Sequence, residues 1–320
     1  MNTFWHTLPK PFFILAPMAD VTDTAFRRMF AKYGKPLGGP DVLYTEFVSA
    51  DGLFLGGYDA LIKDLEYTEA ERPIVAQFFS KDTDLMEKAA RLALEHGFDG
   101  VDINMGCPAK VICDQGAGAA IIKNPKLAKA IIQATKAGAQ GKIPVSVKTR
   151  TGYTKNEIDT WVPSLLEEDI DVLIIHARTR REMSKVPADW STVQRAVEIR
   201  NKMGKETLIV GNGDVESIEE GRMLTQKTGC DGIMIGRGAY GNPWAFTNYI
   251  PTKEERLRVM LEHTKLFEEL LGDIKSFSIM KKHFKAYVSG WDGAKELRME
   301  LMETHSANEV ENVIRRNTDT

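Results

Sequence analysis

One cysteine lies in a loop of glycine and proline, Asn104-Met105-Gly106-Cys107-Pro108-Ala109-Lys110, directly after an apolar run. A thiol with its usual pKa near ~8.5 stays protonated at neutral pH. Cys107 can therefore give a proton to carbon as a general acid; the competing reading is an inert, buried thiol. Lys148 closes the apolar stretch Val145-Ser146-Val147-Lys148, and His176 closes Val172-Leu173-Ile174-Ile175-His176. A lysine in that place is costly to desolvate without an anionic or electron-rich partner. The N1–C2 edge of a flavin, which gathers negative charge on reduction, is such a partner; a lysine that snorkels to solvent is the alternative. Two glycine-rich turns, Gly211-Asn212-Gly213-Asp214 and Gly236-Arg237-Gly238, leave backbone N–H groups open to a phosphate. Arg237 can add a charged hydrogen bond there.

These residues need elements to bring them together. Compact runs rich in Val, Ile, Leu and Phe predict strands at 13–17, 42–47, 74–79, 100–104, 145–148, 172–176, 208–211 and 232–235. Helical spacing, with N-cap and glycine stop signals, predicts helices at 82–96, 125–137, 156–168, 192–201 and 217–228. Eight strand–helix units match the (β/α)8 TIM barrel, which runs to roughly 250 residues. In that fold chemistry sits at the C-terminal strand ends, and there the polar residues gather. Met18 and Asp20 follow strand one, Glu46 ends strand two and Gln77 lies in strand three. Asn104 and Cys107 follow strand four, Lys148 and Arg150 strand five, His176 and Arg178 strand six. The glycine turns follow strands seven and eight, where many barrels bind phosphate. This asymmetry between the two barrel ends argues for an enzyme.

The chain has 320 residues, enough for a sizeable core, and a formal net charge of −3, which gives no global support to nucleic-acid binding. Its three cysteines form no Cys-x-x-Cys pair, so no disulfide framework, four-ligand zinc site or other metal is expected, and the natural setting is a reducing cytoplasm. No apolar run is long enough for a membrane span and no export signal is apparent. After Pro251 strand signals stop and charged helical patterns take over. The expected division is a barrel over 1–245 and a helical domain over 246–320. Lys281, Lys282 and Lys285 form a local basic cluster in the second part, although acidic and basic residues nearly balance there. A solvated helix face is the plain reading of that cluster.

Six segments together resemble the tRNA-dihydrouridine synthases, most closely the bacterial B-type branch. They are Ala16-Pro17-Met18-Ala19, Asn104-Met105-Gly106-Cys107-Pro108, Val147-Lys148-Thr149-Arg150, His176-Ala177-Arg178-Thr179-Arg180, Gly211-Asn212-Gly213-Asp214 and Gly236-Arg237-Gly238, in order across nearly the whole chain. The resemblance implies an FMN-dependent barrel with a C-terminal tRNA-binding helical domain. It implies reduction of the C5–C6 double bond of uridine in tRNA, with NADPH (or NADH) as reductant; apart from the resemblance, a monomer is expected. Carried over by motif, Pro17, Met18 and Ala19 line the flavin ring, Gln77 and Lys148 meet its polar edge, and His176 lies nearby. Asn212, Gly213, Asp214, Gly236 and Arg237 hold the ribityl phosphate end. Cys107 is the proton donor to C5, opposite hydride delivery to C6. Asn104, Lys110, Arg150 and Arg178 are the expected substrate contacts, with Arg178 or Lys110 as the cation for enolate-like charge. Lys281, Lys282 and Lys285 are the expected RNA contacts.

The pattern departs from the family at Val111, where a second basic residue is frequent, and in the loop 182–187, which lacks the usual aromatic residue and glycine. The alternative is a dihydroorotate dehydrogenase-like FMN barrel acting on a free pyrimidine. The loop of Cys107 and the C-terminal appendage weigh against it, as the presence of Cys107, Lys148 and both turns weighs against a non-catalytic RNA-binding barrel.

Overall fold

A computed structural model describes residues 3–318. Its eight strands are β1 (Phe12–Leu15), β2 (Leu43–Ser49), β3 (Ile74–Phe79), β4 (Gly100–Met105), β5 (Val145–Arg150), β6 (Val172–His176), β7 (Leu208–Asn212) and β8 (Gly232–Ile235). All pair in parallel in the order β1-β8-β7-β6-β5-β4-β3-β2. A parallel bridge from Ile14 to Val42 joins the two ends and closes the barrel. The TIM-barrel expectation is borne out. Each predicted strand is present, with ends differing by up to two residues. Strand β1 stops at Leu15 rather than running to Pro17, because proline has no N–H for the ladder.

Period-two alternation builds two hydrophobic layers. Phe13, Leu15, Val101, Ile103, Val145, Val147, Leu173, Ile175, Ile233 and Ile235 face outward into the shell of helices. Phe12, Ile14, Tyr44, Val75, Ile174, Val210 and Met234 face inward, and Trp5 packs with them. The shell contains α1 (Thr24–Met29), α2 (Ala50–Phe54), α3 (Tyr58–Leu61), α4 (Thr83–Glu95), α5 (Lys110–Asp114), α6 (Pro125–Ala139), α7 (Ile158–Leu166), α8 (Ser191–Lys202) and α9 (Ile218–Thr228). Asp82 and Ser217 cap α4 and α9 through their side-chain oxygens. The glycine-rich stretches before and after β2 hold short helical turns instead of one regular crossover helix.

One strand breaks the alternation. Tyr44 pairs with Val75, but Phe47 pairs with Gln77, so Thr45 and Glu46 together stand opposite Ala76. This bulge turns Phe47 toward the barrel interior.

Beyond the barrel lie α10 (Lys253–Leu271), α11 (Met280–Tyr287), α12 (Ala294–Met302) and α13 (Ala307–Thr318). Thr252 and Glu255 form a capping box at the start of α10. These helices have their own core of Met260, Phe267, Phe284, Tyr287, Leu297 and Val310, to which α1 contributes Ala25 and Met29. No helix among the described residues is long and apolar enough to cross a membrane.

Candidate active site

The inward positions nearest the C-terminal strand ends are polar. Gln77, Asn104, Lys148, His176 and Asn212 occupy successive strands, and the ladder pairs Asn104 with Lys148 and His176 with Asn212. Together with the loops above they line a cavity of about 500 Å³, within the usual range for a cofactor or small ligand. Of the residues expected from sequence, it gathers Pro17, Met18, Gln77, Asn104, Cys107, Lys148, Arg150, His176, Arg178, Asn212, Gly213, Asp214, Gly236 and Arg237.

Ala19 and Lys110, expected at the flavin and the substrate, do not line it. Ala19 is exposed. Lys110 is 83 % exposed and pairs along α5 with Asp114 at 2.5 Å. Of the two cations considered for a developing enolate, Arg178 faces the cavity and Lys110 does not. Lys281, Lys282 and Lys285 lie elsewhere, in a groove of about 940 Å³ that Lys295 and Arg298 also line. Glu46, grouped with the rim by sequence, is carried by the bulge away from the cavity to Lys275, while Phe47 lines it instead.

The electrostatics suit an anionic ligand. Lys148 donates to Asn212 Oδ1 at 3.2 Å; burial, helped by the nearby Arg150 cation, pushes its pKa down to about 8. Burial, reinforced by Lys148, Arg150 and Arg178, holds His176 neutral well below its ordinary range. Its Nε2 lies 3.2 Å from Arg178 Nη1 and, in a neutral ring, can accept that donor's proton. Burial also pushes the Cys107 thiol up. A thiol so raised is a proton donor at neutral pH rather than a standing thiolate. A nucleophilic thiol would need a base beside it, and the Nε2 of His176 is instead engaged with Arg178.

Several side chains serve the loops. Arg150 donates through Nε to Gly106 O at 2.8 Å and through Nη1 to the carbonyls of Thr179 and Met183. It therefore fixes the loop of Cys107 against the loop after β6; burial pushes its pKa down to about 10. Asn104 Oδ1 accepts from the N–H groups of Gly106 at 3.0 Å and Cys107 at 2.9 Å. Asp214, at φ 57, accepts from Arg178 and from Arg237 Nη2 at 2.8 Å. Burial pulls its carboxyl upward, but the hydrogen bonds from Arg178 and the Ala188 amide outweigh that and hold it low. Arg237 is 61 % exposed, so it is aimed by Asp214 yet free to take a further anion. The turns after β7 and β8 touch: a Cβ at Gly238 would stand 2.8 Å from Val215 O, so only glycine fits.

A model of the family described as dihydrouridine synthase (Dus) matches residues 14–319. The chain belongs to the dihydrouridine synthase family. This bears out the family resemblance. Relatives named "Probable tRNA-dihydrouridine synthase" from Staphylococcus aureus (strain COL) and "Probable tRNA-dihydrouridine synthase 2" from Bacillus subtilis (strain 168) are each 40 % identical over 314 residues, spanning 97 % of this chain and 94 % of theirs. A Staphylococcus epidermidis relative (strain ATCC 12228 / FDA PCI 1200) is 39 % identical over 318 residues, with 98 % and 95 % coverage. Among solved structures, a 2-naphthoyl-CoA reductase complex superposes with a TM-score of 0.54 at 10 % identity, over 72 % of this chain and 48 % of that one. Histamine dehydrogenase from Rhizobium sp. 4-9 gives 0.52 at 12 %, over 79 % and 48 %. These likenesses concern the barrel fold alone.

Sequence reading of this dihydrouridine synthase misses Asp102. It is fully buried beneath the cavity floor and bonds to Gln77 Nε2 at 2.7 Å and to Ser146 Oγ. Burial pushes its carboxyl up to about 7 against those donors and the Lys148 charge. The available signal is an acid in the apolar run 100–104, two positions before Asn104 and so on the same inward face.

Proposed function

We propose that the chain reduces the C5–C6 double bond of uridines in tRNA to 5,6-dihydrouridine, with flavin mononucleotide in the barrel mouth and NADPH or NADH as reductant. The observation that carries this reading is one cavity bordered by the Cys107 loop, by Lys148 and by the two glycine turns. It fits the cofactor on three counts: volume, a surplus of the cations Lys148, Arg150, Arg178 and Arg237 over the carboxylates of Asp214 and Glu216, and a glycine junction beside an exposed, aimed Arg237.

Pro17 and Met18 would line the flavin ring, and Gln77 and Lys148 would meet its polar edge with His176 beside them. Asn212, Gly213, Asp214, Gly236 and Arg237 hold the phosphate end, with Asp214 acting by orienting Arg237. Bound and reduced, the flavin supplies the hydride for uracil C6. The Cys107 thiol gives its proton to C5. Arg178 stabilises the charge that develops on the uracil carbonyls. Asn104 and Arg150 hold the donor's loop at the substrate. The target base leaves its stack to reach this depth. The barrel, 1–245, carries the chemistry; 246–320 holds tRNA through Lys281, Lys282 and Lys285, and the enzyme works as a monomer.

The test compares tRNA and free uracil derivatives as oxidants of the reduced protein, in wild type and Cys107→Ala. Wild type forms dihydrouridine in tRNA, and Cys107→Ala loses nearly all product while its flavin stays bound and reducible. Wild-type turnover in Cys107→Ala removes the acid assignment; preference for the free pyrimidine removes tRNA as the substrate.

A further inference from the structure

A continuous hydrogen-bond chain runs from the barrel interior to the Cys107 loop. Asp102 Oδ2 accepts from Gln77 Nε2 at 2.7 Å. Gln77 Oε1 accepts from Asn104 Nδ2 at 3.1 Å. Asn104 Oδ1 accepts from the Gly106 and Cys107 amides at 3.0 and 2.9 Å. The other oxygen of Asp102 takes the Ser146 hydroxyl, leaving Tyr44, 3.3 Å from Ser146 Oγ, to donate to it. All of these side chains are buried.

The direction of this chain matters. Both oxygens of Asp102 accept here, Oδ2 from Gln77 and Oδ1 from Ser146, whereas a carboxamide has a donor end and an acceptor end. With Asp102 at its start, Gln77 must offer its NH2 inward and its oxygen to Asn104. Asn104 must then offer NH2 to Gln77 and its oxygen to the loop. Reversing either amide sets donor against donor in a buried place, which is costly. We propose that Asp102 is a positioning residue for the proton donor: by fixing the orientation of Gln77 and Asn104 it holds the loop that presents the Cys107 thiol. The inference rests on the reading of Cys107 as donor, and it assigns work to the one fully buried carboxylate beneath the cavity, which the mechanism otherwise leaves idle.

The experiment uses the flavin-loaded protein with three variants: Asp102→Leu, Asn104→Asp, and the exchange Asp102→Asn with Asn104→Asp. Two readouts are taken: kcat and KM on tRNA, and the pH profile of Cys107 alkylation by iodoacetamide. In Asp102→Leu, kcat falls by about 10- to 100-fold, KM for tRNA changes less than about twofold because no phosphate contact is touched, and alkylation speeds up as the loop loosens. Asn104→Asp alone sets a carboxylate at each end of Gln77, which has one donor end, and loosens the loop likewise. The exchange reverses the two bonds of Gln77 and leaves the loop amides and Ser146 with acceptors, so every bond is satisfied and alkylation slows back toward the wild-type profile.

A folded Asp102→Leu protein with wild-type kcat and alkylation overturns the proposal. If Asp102→Leu does not fold, the exchange decides, and alkylation as fast as in Asn104→Asp alone overturns it. Failure of the wild type to reduce tRNA would instead sink the functional reading, while alkylation would still report on the loop.

Discussion

Lys275, between α10 and α11, donates to Glu46 in the bulge of the barrel's second strand at 2.5 Å. Glu46 in turn accepts from the Asp20 amide through its other oxygen, in the turn that also carries Pro17 and Met18. Asp64 lies 2.7 Å from the same lysine, and all three side chains are largely buried. Burial alone would push Lys275 down, but Glu46 and Asp64 outweigh it and keep it charged. Replacing Lys275 by Met strands two buried carboxylates, which costs about 3 kcal/mol or more. Urea denaturation should show that loss, and adding Glu46→Gln to the variant should recover part of it.

Acid should loosen the same seam. His283 packs 4.9 Å from the Phe26 ring and 4.8 Å from the His263 ring. Burial, with a smaller push from Lys282, moves its pKa down to about 3. An unfolded histidine takes up its proton near ~6.5. Between those values the unfolded chain binds the extra proton, so this histidine's contribution to stability declines as pH falls, by at most about 1.4 kcal/mol per pH unit. His283→Phe keeps an aromatic ring in place and removes that effect. Denaturation at pH 7 and pH 5 should show a smaller acid loss in the variant than in wild type; equal losses would refute the assignment.

The basic groove on α11 and α12 gives the third prediction. Lys281, Lys282 and Lys285 share it with Lys295 and Arg298, and Glu300 and Glu303 also border it. Lys282 stands 3.5 Å from Asp20 and so reaches toward the cavity mouth. Changing the three lysines to Glu should weaken tRNA binding and flatten its dependence on salt by about 0.7–0.9 in log–log slope for each phosphate no longer neutralised. Flavin content should not change. A wild-type salt slope would move the RNA surface elsewhere.

Much of this is legible in the sequence because the barrel repeats one simple rule. Alternation at period two names the inward residues of β3 to β8, and inward residues near the C-terminal end of each strand make the cavity wall. The rule fails where the backbone departs from it. Nothing local in Leu43–Ser49 announces a bulge, so pattern alone puts Glu46 on the rim and passes over Phe47. Ala19 lies in a loop and Lys110 opens the short helix α5, and tertiary packing decides where both point. Residue type alone makes substrate contacts of Arg150 and Asn104. Their hydrogen bonds to Gly106, Cys107, Thr179 and Met183 exist only once the loops are folded over them.

The extra residue in the second strand separates two incompatible duties. With strict pairing Glu46, not Phe47, would point at the flavin pocket. Its negative charge would then repel an anionic tenant and cancel Lys148, while Lys275 would be left with Asp64 alone. A single inserted amino acid keeps the acid outside as a fastener and puts a greasy ring within.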